Sequence, residues 1–255
     1  MIQRYFIQLA YDGTRYHGWQ IQNNARTVQQ VLSDACSIIL KEPVKLTGCG
    51  RTDTGVHARE FYAHFDIPLV LNEQECNKLT YQLNGYLETD IAIYSVFEVK
   101  PRVHARFSAK SRTYAYMISR KKDPFQVNHT YFFFGDIDTE RMNKGADFLL
   151  EVSDFTSFSK VNTDTKTNIC RVTHARWEEY DGRLVFTIRA DRFLRNMVRA
   201  IVGTLMELGK GKLTFDEFRQ IVASMNRSDA GESVPAKGLS LIAVEYPDEI
   251  RMKSC

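Results

Sequence analysis

Gly50 and Gly55 bracket Arg51, Thr52 and Asp53 in the stretch Gly48-Cys49-Gly50-Arg51-Thr52-Asp53-Thr54-Gly55-Val56-His57-Ala58. Glycine accepts backbone angles that other residues resist, so this stretch reads as a tight loop holding a carboxylate close to a guanidinium. A cation within reach favours the ionised carboxylate, which suits a nucleophile or a base rather than a general acid. Taken alone, Asp53 can equally be a chain-turning residue, since aspartate is a common turn former. Arg51 two positions away, with His57 and His64 close behind, weighs for chemistry. Ordinary glycoside hydrolysis requires two carboxylates, and no comparable loop supplies a second. His57, His64 and His104 lack the helical i, i+4 spacing or the cysteine partners of a metal site, so no metal is expected. Neither a P-loop nor a G-x-G-x-x-G occurs, and no cofactor is expected.

The chain has 255 residues with 34 Lys+Arg and 31 Asp+Glu, a formal charge of +3. That total excludes a histone-like polycation and an acidic disordered chain; 44% hydrophobic residues are ordinary for a packed protein. Cys36, Cys49, Cys76, Cys170 and Cys255 form no C-x-x-C pair, which excludes a zinc ribbon and a thioredoxin-like site. The strand-like opening MIQRYFIQLAYDG and the lack of an apolar run of ~20 residues predict no signal segment, no membrane span and a cytoplasmic location. The distribution of charge is more telling. Lys100, Arg102, Arg106, Lys110, Arg112, Arg120, Lys121 and Lys122 fall in one stretch without an acid, interleaved with Phe107, Tyr114 and Tyr116. Cations mixed with aromatic faces suit single-stranded or distorted RNA; the plainer reading is a solvated strand with snorkelling stems. A second cationic run, Arg189–Arg199, carries Arg192, Arg195 and Arg199 at i, i+3, i+7 on an expected helix over Phe193–Leu208.

Elements must hold these residues. Period-two alternation predicts strands at Ile2–Tyr11 and through Phe61, Ala63, Phe65 and Ile67, with others at Val44–Cys49, Ile91–Val99, Thr113–Ile118 and Leu239–Tyr246. Thr27 caps a helix carrying Val28, Val31, Leu32, Ala35 and Ile39 on one stripe, and Asn72 with Glu75 and Thr214 with Glu217 read as capping boxes. A helix over Thr139–Glu151 and a hairpin of Ile169–Tyr180 with Leu184–Ala190 about Asp181-Gly182 complete the pattern. Helices alternate with antiparallel strands in both halves, an α+β class of two similar units without a residue-level repeat. The join falls near Lys100–Lys110, giving 1–104 with the Asp53 loop and 105–255 with Tyr114 and Arg199.

Several blocks together resemble the tRNA pseudouridine synthase A family. They are Tyr11-Asp12-Gly13 with Gly18-Trp19-Gln20, then Gly50–Ala58, His104-Ala105-Arg106-Phe107-Ser108-Ala109 leading to Tyr114, Phe193–Arg199, and Gly238-Leu239. The resemblance implies the pseudouridine synthase fold, two RRM-like α+β halves in one extended, mainly antiparallel sheet with a central cleft. It implies an isomerase, free of cofactor and metal, that converts uridine to pseudouridine at positions 38, 39 and 40 of the tRNA anticodon stem-loop. It also implies a homodimer whose tRNA contacts both subunits. By match to the family, Asp53 is the nucleophile or base, Tyr114 stacks on the flipped base, and Arg199 pairs with Asp53. Arg51 contacts the RNA or helps displace the target base, Leu239 walls the pocket against water, and Arg106 lies in the segment supplying phosphate contacts. Thr54, Val103 and Arg195-Asn196 depart from common family residues, which leaves open the role of Arg195 as a substrate contact. The rival readings are a non-catalytic tRNA-binding or chaperone protein of this fold, a pseudouridine synthase with another RNA target, and an Asp-dependent glycoside hydrolase.

Overall fold

The computed structural model describes residues 2–160 and 167–251. Two compact units are present: the described residues up to Lys110 together with those from Leu241 onward, and Ser111–Ser240. The last strand therefore begins in the second unit and ends in the first, in place of a single cut at 104/105. Both units mix helices with strands, as the α+β expectation requires.

The first unit runs β1 (Gln3–Tyr11), α1 (Val28–Leu40), β2 (Thr47–Gly48), β3 (His57–Ile67), α2 (Glu73–Tyr86) and β4 (Ile91–Val99). β1 is central and pairs antiparallel with β3 on one side and β4 on the other; β2 pairs with β3. On β3 the alternating Phe61, Ala63, Phe65 and Ile67 are all buried, as their spacing predicts. They form a core with Tyr5, Ile7, Leu9, Trp19, Leu32 and Leu83. Thr27 caps α1, and the Asn72–Glu75 capping box is formed in both directions. The expected strand over Val44–Cys49 shrinks to β2 because α1 side chains take its backbone groups. Val44 N–H donates to Ser37 Oγ at 2.9 Å, and Gln29 Nε2 donates to the Leu46 carbonyl at 2.7 Å.

The second unit runs β5 (Ser111–Ser119), β6 (Tyr131–Phe132), α3 (Thr139–Phe148), β7 (Val172–Tyr180), β8 (Arg183–Ala190), α4 (Met197–Gly209) and α5 (Phe215–Ala223), followed by β9 (Leu239–Glu245). β8 lies between β5 and β7, antiparallel to both, and the short β6 pairs parallel with β5. Asp181 and Gly182 turn the β7–β8 hairpin with φ of 51° and 67°, the left-handed pair that a two-residue turn of this twist demands. Met142, Trp177, Phe186, Leu205 and Phe218 are buried in its core. α3 stops at Phe148, before the expected Glu151, where the Leu149 N–H folds back on the Ala146 and Asp147 carbonyls.

α4 begins at Met197, not Phe193. Asn196 breaks the chain into the left-handed region at φ 67°, a conformation asparagine tolerates, and its Nδ2 donates to Ser233 Oγ at 2.5 Å. Arg192 and Arg195 therefore precede the helix, and the expected arginine stripe keeps only Arg199 on it. No helix among the described residues is long and apolar enough to cross a membrane.

Candidate active site

In the first unit the Asp53 loop follows β2 and runs into β3, and its shape is set from beneath by backbone contacts. Trp19 N–H donates to the Thr52 carbonyl at 3.3 Å, and Thr52 Oγ1 is 2.9 Å from the Tyr11 hydroxyl. Gly18, at φ +80°, packs so closely on Thr52 that a Cβ there would overlap the Thr52 carbonyl oxygen. Val56 N–H closes on the Asp53 carbonyl at 3.1 Å, and Gly55 N–H reaches the Tyr16 carbonyl at 3.3 Å. Gly13 is pressed against the Val56 carbonyl, and its N–H donates to His57 Nδ1 at 3.0 Å. Under the loop, Trp19 and Phe61 pack with ring centres 4.3 Å apart, and the indole occupies the space a Cβ on Gly48 would need. Thr52 is thus buried, while Arg51 on one side is exposed and Asp53 on the other is half-buried.

His57, His64 and His104 each have Nδ1 engaged by backbone N–H groups. His64 Nδ1 accepts from Ala105 at 3.1 Å, and His104 Nδ1 accepts from Arg106 at 3.0 Å and Phe107 at 3.3 Å. Burial pushes His64 down to about 4, with Arg4 and His104 adding to the effect; His104 is also lowered, first by burial and then by Arg4. Arg4 itself pairs with Asp66 through two contacts of 2.7 Å. Arg106 is exposed, with its guanidinium 5.7 Å from the Phe107 ring centre.

In the second unit Tyr114 lies on β5 opposite Ile188 of β8, buried, with Phe193 set edge-on to its ring at 5.1 Å. Arg199 stands in the first turn of α4. Its Nε donates to the Val234 carbonyl at 2.8 Å, and the Val234 N–H donates back to the Arg199 carbonyl at 3.2 Å. The neighbouring Pro235 carbonyl accepts from the Tyr116 hydroxyl at 2.9 Å, and Tyr116 in turn packs where a Cβ on Gly238 would sit. Further along, Gly231 N–H donates to Thr204 Oγ1 at 2.9 Å, and the Glu232 carbonyl fills the space above Gly203. Residues 231–238 thus form a strap laced along α4 and β5, ending at the buried Leu239 that opens β9. Arg195 is exposed in the turn before α4, its carbonyl accepting from Lys160 N–H at 3.1 Å.

Each unit therefore assembles its own part of the residue set: Arg51, Asp53 and Arg106 in the first, Tyr114, Arg195, Arg199 and Leu239 in the second. Tyr11, Gly18 and Trp19 beneath the Asp53 loop, and Tyr116 behind Arg199, were not among the expected site residues. Only the blocks Tyr11-Asp12-Gly13 and Gly18-Trp19-Gln20 marked the first group, without indicating what they support.

The described residues thus make an α+β protein with an aspartate on a braced loop in one unit, and a tyrosine and an arginine set on a strand and a helix in the other. A family model described as tRNA pseudouridine synthase matches residues 8–108 and 152–247. The tRNA pseudouridine synthase A of Bacteroides thetaiotaomicron is 52% identical over 252 residues, spanning 98% of this chain and 93% of that protein. Its counterpart in Porphyromonas gingivalis is 52% identical over 249 residues, spanning 97% and 98%, and that of Acetivibrio thermocellus is 40% identical over 240 residues, spanning 93% and 97%. The chain belongs to the tRNA pseudouridine synthase family.

Proposed function

We propose that this chain isomerises uridine to pseudouridine at positions 38, 39 and 40 of the tRNA anticodon stem-loop, with Asp53 as the nucleophile or base. The reaction breaks the N1–C1′ bond, turns the uracil and joins C5 to C1′; C5 loses its proton and N1 gains one, so no co-reactant is consumed. The carboxylate of Asp53 serves this by attacking C1′, by adding to C6, or by taking the C2′ proton. Tyr114 stacks on the flipped uracil, Arg199 is the cationic partner of the Asp53 carboxylate, and Leu239 keeps water from the detached base. Arg51, Arg106 and Arg195 contact the RNA. Their cations offset the few kcal/mol that extruding a base from a duplex costs. The working form is a cytoplasmic homodimer with tRNA touching both subunits, and it needs neither cofactor nor metal.

The observation that carries this reading is the brace under Asp53: buried Thr52, tied to Tyr11 and Trp19, with Asp53 itself partly exposed. A turn-forming aspartate needs no such support. Tritium release from tRNA labelled at uracil C5 tests it. Wild type is expected to release tritium and Asp53→Ala to fall to background. No release by wild type ends the enzyme reading, and an active Asp53→Ala ends the assignment of Asp53. Mapping of modified positions in RNA from a deletion strain tests the substrate: unchanged residues at 38, 39 and 40 reject it in favour of another RNA.

A further inference from the structure

Residues 103–108 form a turn whose backbone polar groups are largely tied. His104 N–H donates to Ser108 Oγ and Ser108 N–H donates to the His104 carbonyl, both at 2.9 Å. The Ala105, Arg106 and Phe107 N–H groups go to the imidazoles of His64 and His104. Arg4 Nη1 donates to the Val103 carbonyl at 3.0 Å, and the Tyr246 hydroxyl to the Ala105 carbonyl at 2.6 Å. What this closely held turn presents is Phe107, which is 76% exposed. Its ring rests on His104, with centres 4.4 Å apart and planes 34° apart. His104 rests on His64 at 4.6 Å, and His64 on Phe6 at 6.1 Å. Phe107 is therefore the outermost member of a column of rings rooted in the first unit's core.

A phenyl ring left largely in water forgoes most of what its burial would contribute, and ordering the turn that carries it costs conformational entropy. Inside the chain the ring packs on His104 alone among the rings around it, and the rest of it is open to what it meets outside. The surroundings specify the chemistry of the visitor. Phe107 lies in the acid-free stretch from Lys100 to Lys122, with Arg106 adjacent and Lys100, Arg102 and Lys110 nearby in sequence. A polyanion with flat, aromatic faces fits both features, because every base has a face to stack and each nucleotide brings a phosphate to the cations.

We propose that Phe107, backed by His104 and flanked by Arg106, is a stacking platform for an unpaired base of the RNA substrate. It is a binding subsite separate from the residues assigned to the reaction. The inference rests on the tRNA reading above, and its test is arranged so that the two can fail separately.

Binding is measured directly with Asp53→Ala protein and unmodified tRNA, which needs no turnover, and KM and kcat by tritium release with Asp53 intact. Phe107→Ala is expected to weaken binding and raise KM about tenfold, the value of one base–aromatic stack, with kcat little changed. Phe107→Trp is expected to bind at least as well as wild type, a rescue that a packing role for a phenyl ring would not allow. Phe107→Ala should leave the salt dependence of binding unaltered, whereas Arg106→Ala should reduce its slope by about one. Unchanged binding in Phe107→Ala, or Phe107→Trp as weak as Phe107→Ala, overturns the platform. A shift of Phe107→Ala to a smaller assembly in sedimentation also overturns it, pointing to a contact between copies of the chain. If wild type binds tRNA through Phe107 yet releases no tritium, the platform stands and the enzyme reading falls.

Discussion

Asp53 is held by a loop that owes its shape to backbone contacts, whereas Tyr114 and Arg199 ride on β5 and α4. In the first case the precision comes from close approach: Gly18 on the Thr52 carbonyl, Gly13 on the Val56 carbonyl, and a hydroxyl pair between Tyr11 and Thr52. In the second it comes from regular structure plus one strap, residues 231–238, tied to Arg199 and Tyr116 by side-chain bonds to its carbonyls, with one close glycine contact of the first kind where the Glu232 carbonyl lies over Gly203. A contact built from backbone and glycine has no slack, since any added atom displaces the chain. A contact built from a side chain reaching a carbonyl loses one hydrogen bond when the side chain changes, and the helix stays where its core puts it. Gly18 under the loop and the side chains that reach the strap should therefore respond to substitution on different scales.

Gly18→Ala should have the largest effect. At φ +80° with the Thr52 carbonyl in the way, the new methyl must push the loop and Asp53 with it. Misplacing a reacting group by about 1 Å costs on the order of a hundredfold, so kcat/KM for tritium release should drop by about that much. Near-normal turnover in Gly18→Ala would erase the contrast between the regions. Arg199→Lys keeps the charge and gives up the Nε bond to the Val234 carbonyl. A loss of about tenfold in kcat is expected, with about 1 kcal/mol of stability lost in urea unfolding. Tyr116→Phe removes only the bond to the Pro235 carbonyl; about 1 kcal/mol of stability and less than fivefold in kcat should go. If Tyr116→Phe proved as damaging as Gly18→Ala, the strap would be as unforgiving as the loop.

The smallest effect on turnover concerns acid, which acts through stability alone. His64 is held at about 4 by burial first and then by Arg4 and His104, against an ordinary 6.5, with Asp66 acting in the opposite sense. In the unfolded chain His64 takes its proton near 6.5, while the folded chain resists until about 4. Over that window the unfolded state binds more protons, so stability falls as pH falls. Melting temperatures measured from pH 7 to 4.5 should show the decline, and His64→Asn, whose side-chain oxygen can still accept from Ala105 N–H, should show a shallower one. Equal slopes would remove His64 as the source.

Legibility followed distance along the chain. The capping boxes of Asn72 with Glu75 and Thr214 with Glu217, and the Asp181-Gly182 turn, are formed as expected because all their partners lie within a few residues. The alternation on β3 also held, since a strand's two faces are written directly in its period. The start of α4 was misplaced because the decisive partner of Asn196 is Ser233, 37 positions away. Val44–Leu46 was expected to be strand because nothing in those residues reveals that Gln29 and Ser37 would take their backbone groups. For the candidate site, the residues of the Asp53 loop and of the Tyr114 and Arg199 blocks were legible by type and order. Their supports were not: Gly18 under Thr52 and Tyr116 behind Pro235 are contacts to backbone carbonyls, and a carbonyl carries no side-chain identity for a sequence pattern to register.

By itself the sequence determined the class of the chain, most of its elements, the clustering of its cations and the identity of the residues offered for chemistry, because each of these is local or additive. The tertiary structure decided which backbone groups meet across the chain. Through them it decided that Thr52 is buried while Asp53 is presented, that Arg199 is tied to the 231–238 strap, and that Phe107 stands outward on a column of histidines. Such contacts depend on close packing and on every buried polar group finding a partner, conditions satisfied only when distant segments have already come together.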